Sequence, residues 1–262
     1  MTGKTAGTQE YTLGNRWQHA RRRLQLLEQC YDPGTTRRLG NLGVGAGWRC
    51  LEVGAGGGSI TRWLCNQVGP EGRVLATDLD TRFVEELDNE NLDVRRMDLR
   101  TDALPADAFD LVHARAVLMH IPQREQILNA LLAALRPGGW LLLEEADHFA
   151  TSTLATGLHL EVAEAAFTGM VQAGVAIDWA RHLPGLLQRR GLAEVGSDCD
   201  VSLFEGGSVG ADWWRVTMSQ LWEQGLVIGV TRHQLDEWDN LVSQPGGWFP
   251  GLSVVAAWGR RP

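Results

Sequence analysis

The chain has 262 residues, of which 44% are hydrophobic and 21% charged, and its formal net charge is −8. This composition is typical of a globular α/β protein large enough to bury a sizeable core. The acidic balance gives no general attraction to phosphate backbones, so it disfavours a nucleic-acid partner.

The sequence indicates neither export nor membrane insertion. The first ten residues lack the apolar stretch of a secretion signal, and no apolar run is long enough to cross a bilayer. The four cysteines form no C-x-x-C pair, which argues against a metal site or a disulfide framework. We therefore expect a cytoplasmic protein with no metal ion and no membrane partner.

The first 45 residues are predicted to form an N-terminal helical segment. Apolar residues recur at helical spacing between residues 15 and 31. The sequence Asp32-Pro33-Gly34 predicts the end of that helix, and a second short helix is expected over 35–42.

From residue 46 to residue 147, strand patterns alternate with helix patterns. Strands are predicted at 48–53, 74–78, 91–98, 109–114 and 140–146, and helices at 59–68, 81–89 and 124–135. Such alternation predicts a Rossmann-like, mostly parallel sheet with helices on both faces, and we expect this part to be the cofactor-binding core.

After Asp147 the pattern changes to a helical insertion over 148–190, which we expect to be a lid over an acceptor molecule. Residues 191–262 are predicted to complete the sheet with strands at 192–204 and 252–259, separated by helices at 209–225 and 231–243. The whole chain is expected to form a single seven-stranded domain.

The run Cys50-Leu-Glu-Val-Gly-Ala-Gly-Gly-Gly58 carries the main functional signal. A glycine-rich turn between a strand and a helix lets the backbone approach a ligand closely. The dinucleotide pattern G-x-G-x-x-G would require glycine at 59, where this chain has Ser59. Glu52 would repel a pyrophosphate but suits an ammonium group.

Two aspartates follow the next two strands. Asp78 ends the second strand, where it can accept hydrogen bonds from both hydroxyls of a ribose. Asp98 follows the third strand, where it can accept from the amino group of adenine. Together with Glu52, these residues favour S-adenosylmethionine over a dinucleotide.

Five segments between residues 51 and 145 resemble the class I S-adenosylmethionine-dependent methyltransferases, in the small-molecule branch that includes the ubiquinone/menaquinone-type enzymes. They are LEVGAGGG, ATDLD, RRMDL, FDLVHARAVLMHI and LRPGGWLLLEE. The final LSVVAAWG is similar to the closing strand of this family, so the resemblance implies that the last strand is antiparallel.

The resemblance also implies which residues would contact S-adenosylmethionine or its product S-adenosylhomocysteine. The glycine turn would lie against the methionine portion, Leu79 would pack on adenine, and Arg115 would lie near the methionine carboxylate or amine. The N-terminal Tyr11 would close over the cofactor. The full implied set is Tyr11, Glu52, Gly54, Ala55, Gly56, Asp78, Leu79, Asp98, Leu99 and Arg115.

Methyl transfer from a sulfonium ion is an in-line displacement with a neutral leaving group, so alignment can supply much of the rate. A base is needed only if the acceptor loses a proton. The candidates after strands four and five are His113, His120, Asp147 and His148, of which we predict His120, His148 and Asp147 as catalytic. The alternative for the histidines is a hydrogen-bonded structural role, and Asp147 could instead orient His148 or cap a helix.

The predicted function is methyl transfer to oxygen, nitrogen or carbon of a small-molecule acceptor, such as a natural-product intermediate of secondary metabolism. An enzyme on the same scaffold could instead use the cofactor for cyclisation, hydroxylation or decarboxylation. A nicotinamide-dependent oxidoreductase, which Ser59 and Glu52 disfavour, and a non-catalytic cofactor-binding regulator are further alternatives. A homodimer is expected if the tryptophan-rich helices at 209–243 pack against a second subunit.

Overall fold

A computed structural model describes residues 12–262, and Tyr11 lies outside these residues. Seven strands form one sheet within this range: β1 Arg49–Val53, β2 Arg73–Asp78, β3 Leu92–Arg96, β4 Phe109–Arg115, β5 Leu135–Asp147, β6 Ala193–Glu205 and β7 Trp248–Arg260. Their spatial order is β3-β2-β1-β4-β5-β7-β6. Only β7 runs antiparallel to its neighbours β5 and β6, so the predicted fold class is confirmed.

Eight α-helices accompany the sheet in the described part of the chain: α1 Ala20–Asn41, α2 Ser59–Val68, α3 Arg124–Ala134, α4 Phe149–Leu154, α5 Gly157–Gln172, α6 Leu183–Arg189, α7 Val209–Glu223 and α8 Arg232–Ser243. Short 3₁₀ turns cover Val84–Glu86, Leu118–His120 and Ala180–His182. None of the helices within residues 12–262 is both long and apolar enough to cross a membrane.

The two faces of the sheet bury different sets of side chains because successive residues of a strand point to opposite sides. On one face, Leu51 and Val112 pack with Leu128 of α3 and Leu183 of α6. On the other face, Cys50, Leu111 and Leu142 pack with the apolar sides of α1 and α2. Central strands covered on both faces are typical of parallel sheets. Because these strands are parallel, their carboxyl ends lie together at one end of the sheet.

Helix α1 continues through Pro33, so the predicted end of the first helix at this residue was wrong. A proline inside a helix removes one amide donor and normally ends or bends the helix. Here the residues that follow it are held by tertiary contacts, because Thr35 and Arg38 are buried and both donate to Glu144. These contacts keep residues after Pro33 helical.

The predicted helix over 81–89 was also wrong, because the structure has only the 3₁₀ turn Val84–Glu86. Phe83 and Val84 are adjacent in sequence and both buried. Leu87 then adopts an extended backbone. Its side chain packs so close to Gly58 that a Cβ on that glycine would lie 3.0 Å from Leu87 Cδ1. This contact draws the chain out of the helical path.

The segment predicted as a lid contains three separate helices. The first two, α4 and α5, are separated by an extended backbone at Ala155 and Thr156. The last of the three, α6, buries Leu183 and Leu187 against the sheet. It therefore belongs to the helical layer of the core. The lid stays a prediction, and it now concerns α4 and α5 alone.

Helices α7 and α8 turn their large aromatic residues inward. Trp213, Trp214 and Trp238 are at most 4% exposed and pack with α5 in one cluster. The reason for expecting a second subunit on these helices is therefore removed, and a homodimer stays a prediction.

Candidate active site

One cavity lies at the carboxyl ends of β1, β2 and β4. It brings together nine of the cofactor residues expected from the sequence, and His120 joins them. The nine are Glu52, Gly54, Ala55, Gly56, Asp78, Leu79, Asp98, Leu99 and Arg115. Side chains of α1, including Leu24, Leu27 and Glu28, form the opposite wall. The parallel sheet therefore gathers residues that are far apart in sequence.

The glycine turn after β1 has a backbone that only glycine adopts easily. Gly54 and Gly56 have φ angles of 68° and 55°. A Cβ at Gly54 would lie 2.3 Å from Val117 Cγ2. The amides of Gly54 and Ala55 donate to the carbonyl of Thr77 at 2.7 and 3.0 Å, which ties the turn to the end of β2.

Asp78 completes the attachment of the turn to β2. Its Oδ2 accepts from the amide of Gly56 at 2.9 Å, and its Oδ1 accepts from the amide of Asp80 at 2.9 Å. Burial raises the pKa of Asp78, while these amide hydrogen bonds oppose the rise. Each carboxylate oxygen can accept a further hydrogen bond, so the group can still receive a diol from the cavity.

The far end of the cavity combines an apolar surface with a second carboxylate. Leu79 is 43% exposed and lines the cavity, so it offers an apolar contact there. Asp98 is held by Arg100, whose Nη2 lies 2.6 Å from Asp98 Oδ2. The hydrogen bonds from Arg100 lower the pKa of Asp98.

A row of buried charged residues crosses the sheet beneath the glycine turn. His113 donates from Nδ1 to Glu52 Oε2 at 2.7 Å and from Nε2 to Glu144 Oε2 at 3.1 Å. Both ring nitrogens face carboxylate oxygens, and this arrangement favours a ring that carries protons on both. Burial alone would lower the pKa of His113, but the two carboxylates raise it to about 9.

The row continues into α1. Burial would raise the pKa of Glu144, but hydrogen bonds and charges, first those of His113, lower it to about 2. Glu144 also accepts from Arg38 Nη1 at 2.7 Å and from Thr35 Oγ1 at 2.6 Å. Arg115 in turn donates to Thr35 Oγ1 at 2.9 Å and to Asp32 Oδ1 at 2.8 Å. Helix α1 therefore anchors both Glu144 and Arg115.

Of the three predicted catalytic residues, only His120 lines the cavity. Burial, assisted by the charge of Arg23, lowers the pKa of His120 to about 3, so the ring is neutral at physiological pH. Beyond it, Glu145 accepts from the amides of Leu118 and Met119, and burial raises its pKa to about 7.

Asp147 and His148 are not among the residues that line the cavity. Asp147 is fully buried and pairs with Arg181, whose Nε and Nη2 donate at 2.9 and 2.6 Å. It also accepts from the amide of Phe149 at the start of α4. His148 contacts Ser152 Oγ at 3.0 Å rather than Asp147. Asp147 therefore binds Arg181 and the first amide of α4.

The predicted set omitted the partners that hold the cavity residues in place. Glu144, Arg38, Thr35 and Glu145 are all buried. The pair Glu144-Glu145 inside the apolar run LLLEEA was the available signal, because two adjacent carboxylates in a buried strand require partners on both faces.

In chemical terms, the cavity offers a buried carboxylate for a cation, a partly buried carboxylate for a diol and an apolar surface for a flat ring. These are the needs of a nucleoside that carries an amino acid through sulfur, such as S-adenosylmethionine. A match with the family model described as "Methyltransferase domain" covers residues 51–141, which contain the glycine turn and both aspartates. This part of the chain is a class I methyltransferase domain.

Relatives in sequence support the same assignment for this domain. Methyltransferase str3 of Strobilurus tenacellus is 29% identical over 159 residues, which are 58% of this chain and 55% of that protein. The ubiquinone/menaquinone biosynthesis C-methyltransferase UbiE of Hahella chejuensis is 31% identical over 111 residues, which are 39% of this chain and 45% of that protein. The chain thus spans about half the length of these relatives.

Solved structures share the fold of the methyltransferase domain. A phosphoethanolamine N-methyltransferase 2 of Haemonchus contortus, solved with phosphomonomethylethanolamine and S-adenosylhomocysteine, matches 98% of this chain and 61% of that chain, with 13% identity and a TM-score of 0.61. The [4+2]-cyclase SpnF matches 83% of this chain and 76% of that chain, with 14% identity and a TM-score of 0.51. At these identities the likeness concerns the fold alone.

Proposed function

We propose that this protein is an S-adenosylmethionine-dependent methyltransferase that acts on oxygen, nitrogen or carbon of a small-molecule acceptor. The observation that carries the proposal is the convergence of the glycine turn, Glu52 and Asp78 on one cavity. The residues fit the cofactor in charge and in hydrogen-bonding capacity, since Glu52 suits its ammonium and Asp78 suits its ribose.

The other cofactor residues have complementary tasks in this proposal. Leu79 and Leu99 would pack on the adenine ring, and Asp98 would accept from its amino group. Arg115, which Asp32 and Thr35 hold in place, would lie beside the carboxylate of the methionyl group. Tyr11 would close over the bound nucleoside, as the family resemblance implies.

The protein's contribution to the reaction is mainly alignment and exclusion of water. The bound cofactor supplies an electrophilic methyl group. Leu24 and Leu27 of α1 and Ile121 make the wall around it apolar. His120 is the one predicted base that lines the cavity, and its neutral ring can accept a proton from an acceptor hydroxyl or amine. The low pKa makes it a weak base, so an acceptor that loses no proton suits the site best.

The proposal also covers the metabolic role of the acceptor, the cellular location of the protein and its oligomeric state. The similarity to two Strobilurus methyltransferases supports a role in secondary metabolism. We propose a cytoplasmic location because all four cysteines are free thiols. A homodimer is retained only as a prediction.

The experiment is an acceptor screen with S-adenosylmethionine that carries an isotopic label on its methyl group. Phenols, quinones, amines and short carboxylic acids are incubated with the purified protein, and mass spectrometry follows both the label and S-adenosylhomocysteine. Methyl transfer places the label on the acceptor and releases one S-adenosylhomocysteine for each product. The chain with Asp78→Asn is the matched control and is expected to lose most of this turnover.

The same screen distinguishes the second candidate function, in which the enzyme uses the cofactor without transferring its methyl group; the [4+2]-cyclase SpnF shares the fold. An enzyme that uses the cofactor without transferring methyl would convert an acceptor while the label stays on the cofactor. The proposed function is contradicted if neither S-adenosylmethionine nor S-adenosylhomocysteine raises the melting temperature of the protein.

A further inference from the structure

Glu52 faces the cavity on one side and a buried histidine on the other. It lines the cavity, yet it is only 4% exposed, and its Oε2 accepts a hydrogen bond from His113 at 2.7 Å. His113 is fully buried and is not among the residues that line the cavity. His113 therefore contacts the lining of the cavity directly through Glu52.

The sheet itself creates this contact. Cys50, Leu111 and Leu142 point to one face of β1, β4 and β5 and are apolar. Two residues further along each strand, the same face carries Glu52, His113 and Glu144. Glu52 and His113 are direct partners in the parallel register of β1 and β4. The polar row is therefore the last layer of this face before the cavity.

The row is fixed at its far end by α1. Glu144 accepts from Arg38 and Thr35 of this helix. Arg38 reaches onward to Asp198 and Asp200 of β6, with both contacts at 2.6 Å. Because Glu144 receives three donors, it cannot turn away from His113 without breaking buried hydrogen bonds. His113 is thereby held in the orientation that presents Nδ1 to Glu52.

We propose that His113 is a positioning residue, which donates to one oxygen of Glu52 and so keeps that carboxylate aimed at the ammonium of a bound methionyl group. This inference rests on the proposed function. Without His113, Glu52 would be a nearly buried carboxylate that lacks the donor which fixes its orientation toward the cavity.

The test compares two ligands that differ in the methionyl group. S-adenosylhomocysteine carries the ammonium, whereas 5′-methylthioadenosine has the same adenine and ribose without it. His113→Gln places its amide nitrogen where Nε2 lies and loses the contact with Glu52. His113→Asn places its amide nitrogen where Nδ1 lies and retains a donor to Glu52, so it is the matched variant. Calorimetry measures the Kd of both ligands for each chain and for Glu52→Gln.

We expect His113→Gln to raise the Kd of S-adenosylhomocysteine about 10-fold or more while the Kd of 5′-methylthioadenosine changes less than about 2-fold. His113→Asn should retain most of the affinity for S-adenosylhomocysteine. The double variant Glu52→Gln with His113→Gln should bind no more weakly than Glu52→Gln alone, because both changes remove the same interaction.

The inference is overturned if His113→Gln raises the Kd of both ligands by the same factor. It is also overturned if the binding free energies lost by His113→Gln and by Glu52→Gln add in full in the double variant. Should the variants fail to fold, nitrogen-15 NMR of the histidine-labelled wild-type chain at pH 8 gives the answer. A proton on Nδ1 of His113 is expected, and an Nδ1 without a proton would refute the inference. If the wild-type chain binds neither ligand, the proposed function itself fails.

Discussion

The backbone amide of Gly56 donates to the Asp78 carboxylate at 2.9 Å, and this hydrogen bond joins the glycine turn after β1 to the end of β2. Asp78 therefore has two tasks in the proposed enzyme. It holds the turn that contacts the methionine portion, and its remaining lone pairs receive the ribose.

The substitution Asp78→Asn tests this double task. An asparagine has one acceptor oxygen in place of two, so it cannot serve the amides of Gly56 and Asp80 and a ribose diol together. We expect the Kd of S-adenosylhomocysteine and that of 5′-methylthioadenosine to rise by about 10-fold to 100-fold, as measured by calorimetry.

The control for Asp78→Asn is Asp93→Asn, which removes the same charge from an exposed site on β3 where Asp93 pairs with Arg95. This variant should bind both nucleosides like the wild-type chain. Equal affinity of Asp78→Asn and the wild-type chain would show that the carboxylate does not receive the ribose.

A second prediction concerns Gly54, where backbone strain and a steric contact coincide. Gly54 and Gly69 both have positive φ angles, 68° and 65°, but a Cβ at Gly69 would meet nothing within 4 Å. Gly69→Ala should therefore cost only the backbone strain, on the order of 1–3 kcal/mol of the free energy of unfolding. Gly54→Ala should cost more, because its Cβ would clash with Val117.

Urea denaturation of the two glycine variants measures both costs. The double variant Gly54→Ala with Val117→Ala separates the two contributions, since it removes the methyl groups that clash. It should recover part of the loss seen for Gly54→Ala after the cost of Val117→Ala alone is subtracted. Equal destabilisation by Gly54→Ala and Gly69→Ala would contradict the described packing of the turn.

A third prediction is a pH dependence that comes from His113. Its pKa is raised to about 9 in the folded protein, against about 6.5 in the unfolded chain. The folded state therefore binds a proton that the unfolded state loses between these values. The resulting stabilisation is complete below pH 6.5 and decreases as the pH rises through 9.

Denaturant titrations between pH 6 and pH 10 check this dependence. The groups that face His113 are Glu52 and Glu144, with Arg38 behind the latter, so the effect belongs to this buried row. In His113→Asn the decrease in the free energy of unfolding over this range should be clearly smaller. An unchanged pH profile in that variant would count against a charged His113.

A fourth prediction concerns His120, which should make the free energy of unfolding decrease toward acidic pH rather than toward alkaline pH. Burial lowers its pKa to about 3, so the folded protein keeps the ring neutral while the unfolded chain takes up a proton below about pH 6.5. The free energy of unfolding should therefore decrease as the pH falls from 6.5 toward 3. His120→Asn should make this decrease smaller between pH 6.5 and 4.5, as measured by denaturation. If His120→Asn and the wild-type chain lose the same free energy of unfolding over this pH range, the buried, neutral ring is contradicted.

The sequence predicted best the part of the fold where local pattern and motif agree. The strand before Gly54 and the helix Ser59–Val68 follow directly from an apolar run, a glycine turn and one apolar helix face. The two wrong helix predictions have another cause. Tertiary contacts keep α1 helical after Pro33. Leu87 packs against Gly58, and only a 3₁₀ turn forms where a helix was expected over 81–89. Neither contact can be predicted from the local spacing of residues.

The site shows the same division. The nine predicted cofactor residues that line the cavity lie at motif positions at the ends of strands, so the sequence pattern predicted that they lie together. The residues behind them depend on which strands are neighbours. Glu52, His113 and Glu144 share one face, but their contact requires the order β1-β4-β5, and Arg38 reaches Glu144 only because α1 covers that face. Sequence spacing alone gives no such adjacency.

Calorimetric titration of the wild-type chain with S-adenosylhomocysteine, beside a titration with NADH, tests the central claim most directly. The cavity built from Glu52, Asp78 and the glycine turn predicts saturable binding of one S-adenosylhomocysteine per chain and no binding of NADH. The absence of heat at millimolar S-adenosylhomocysteine, or tighter binding of NADH, would contradict the account.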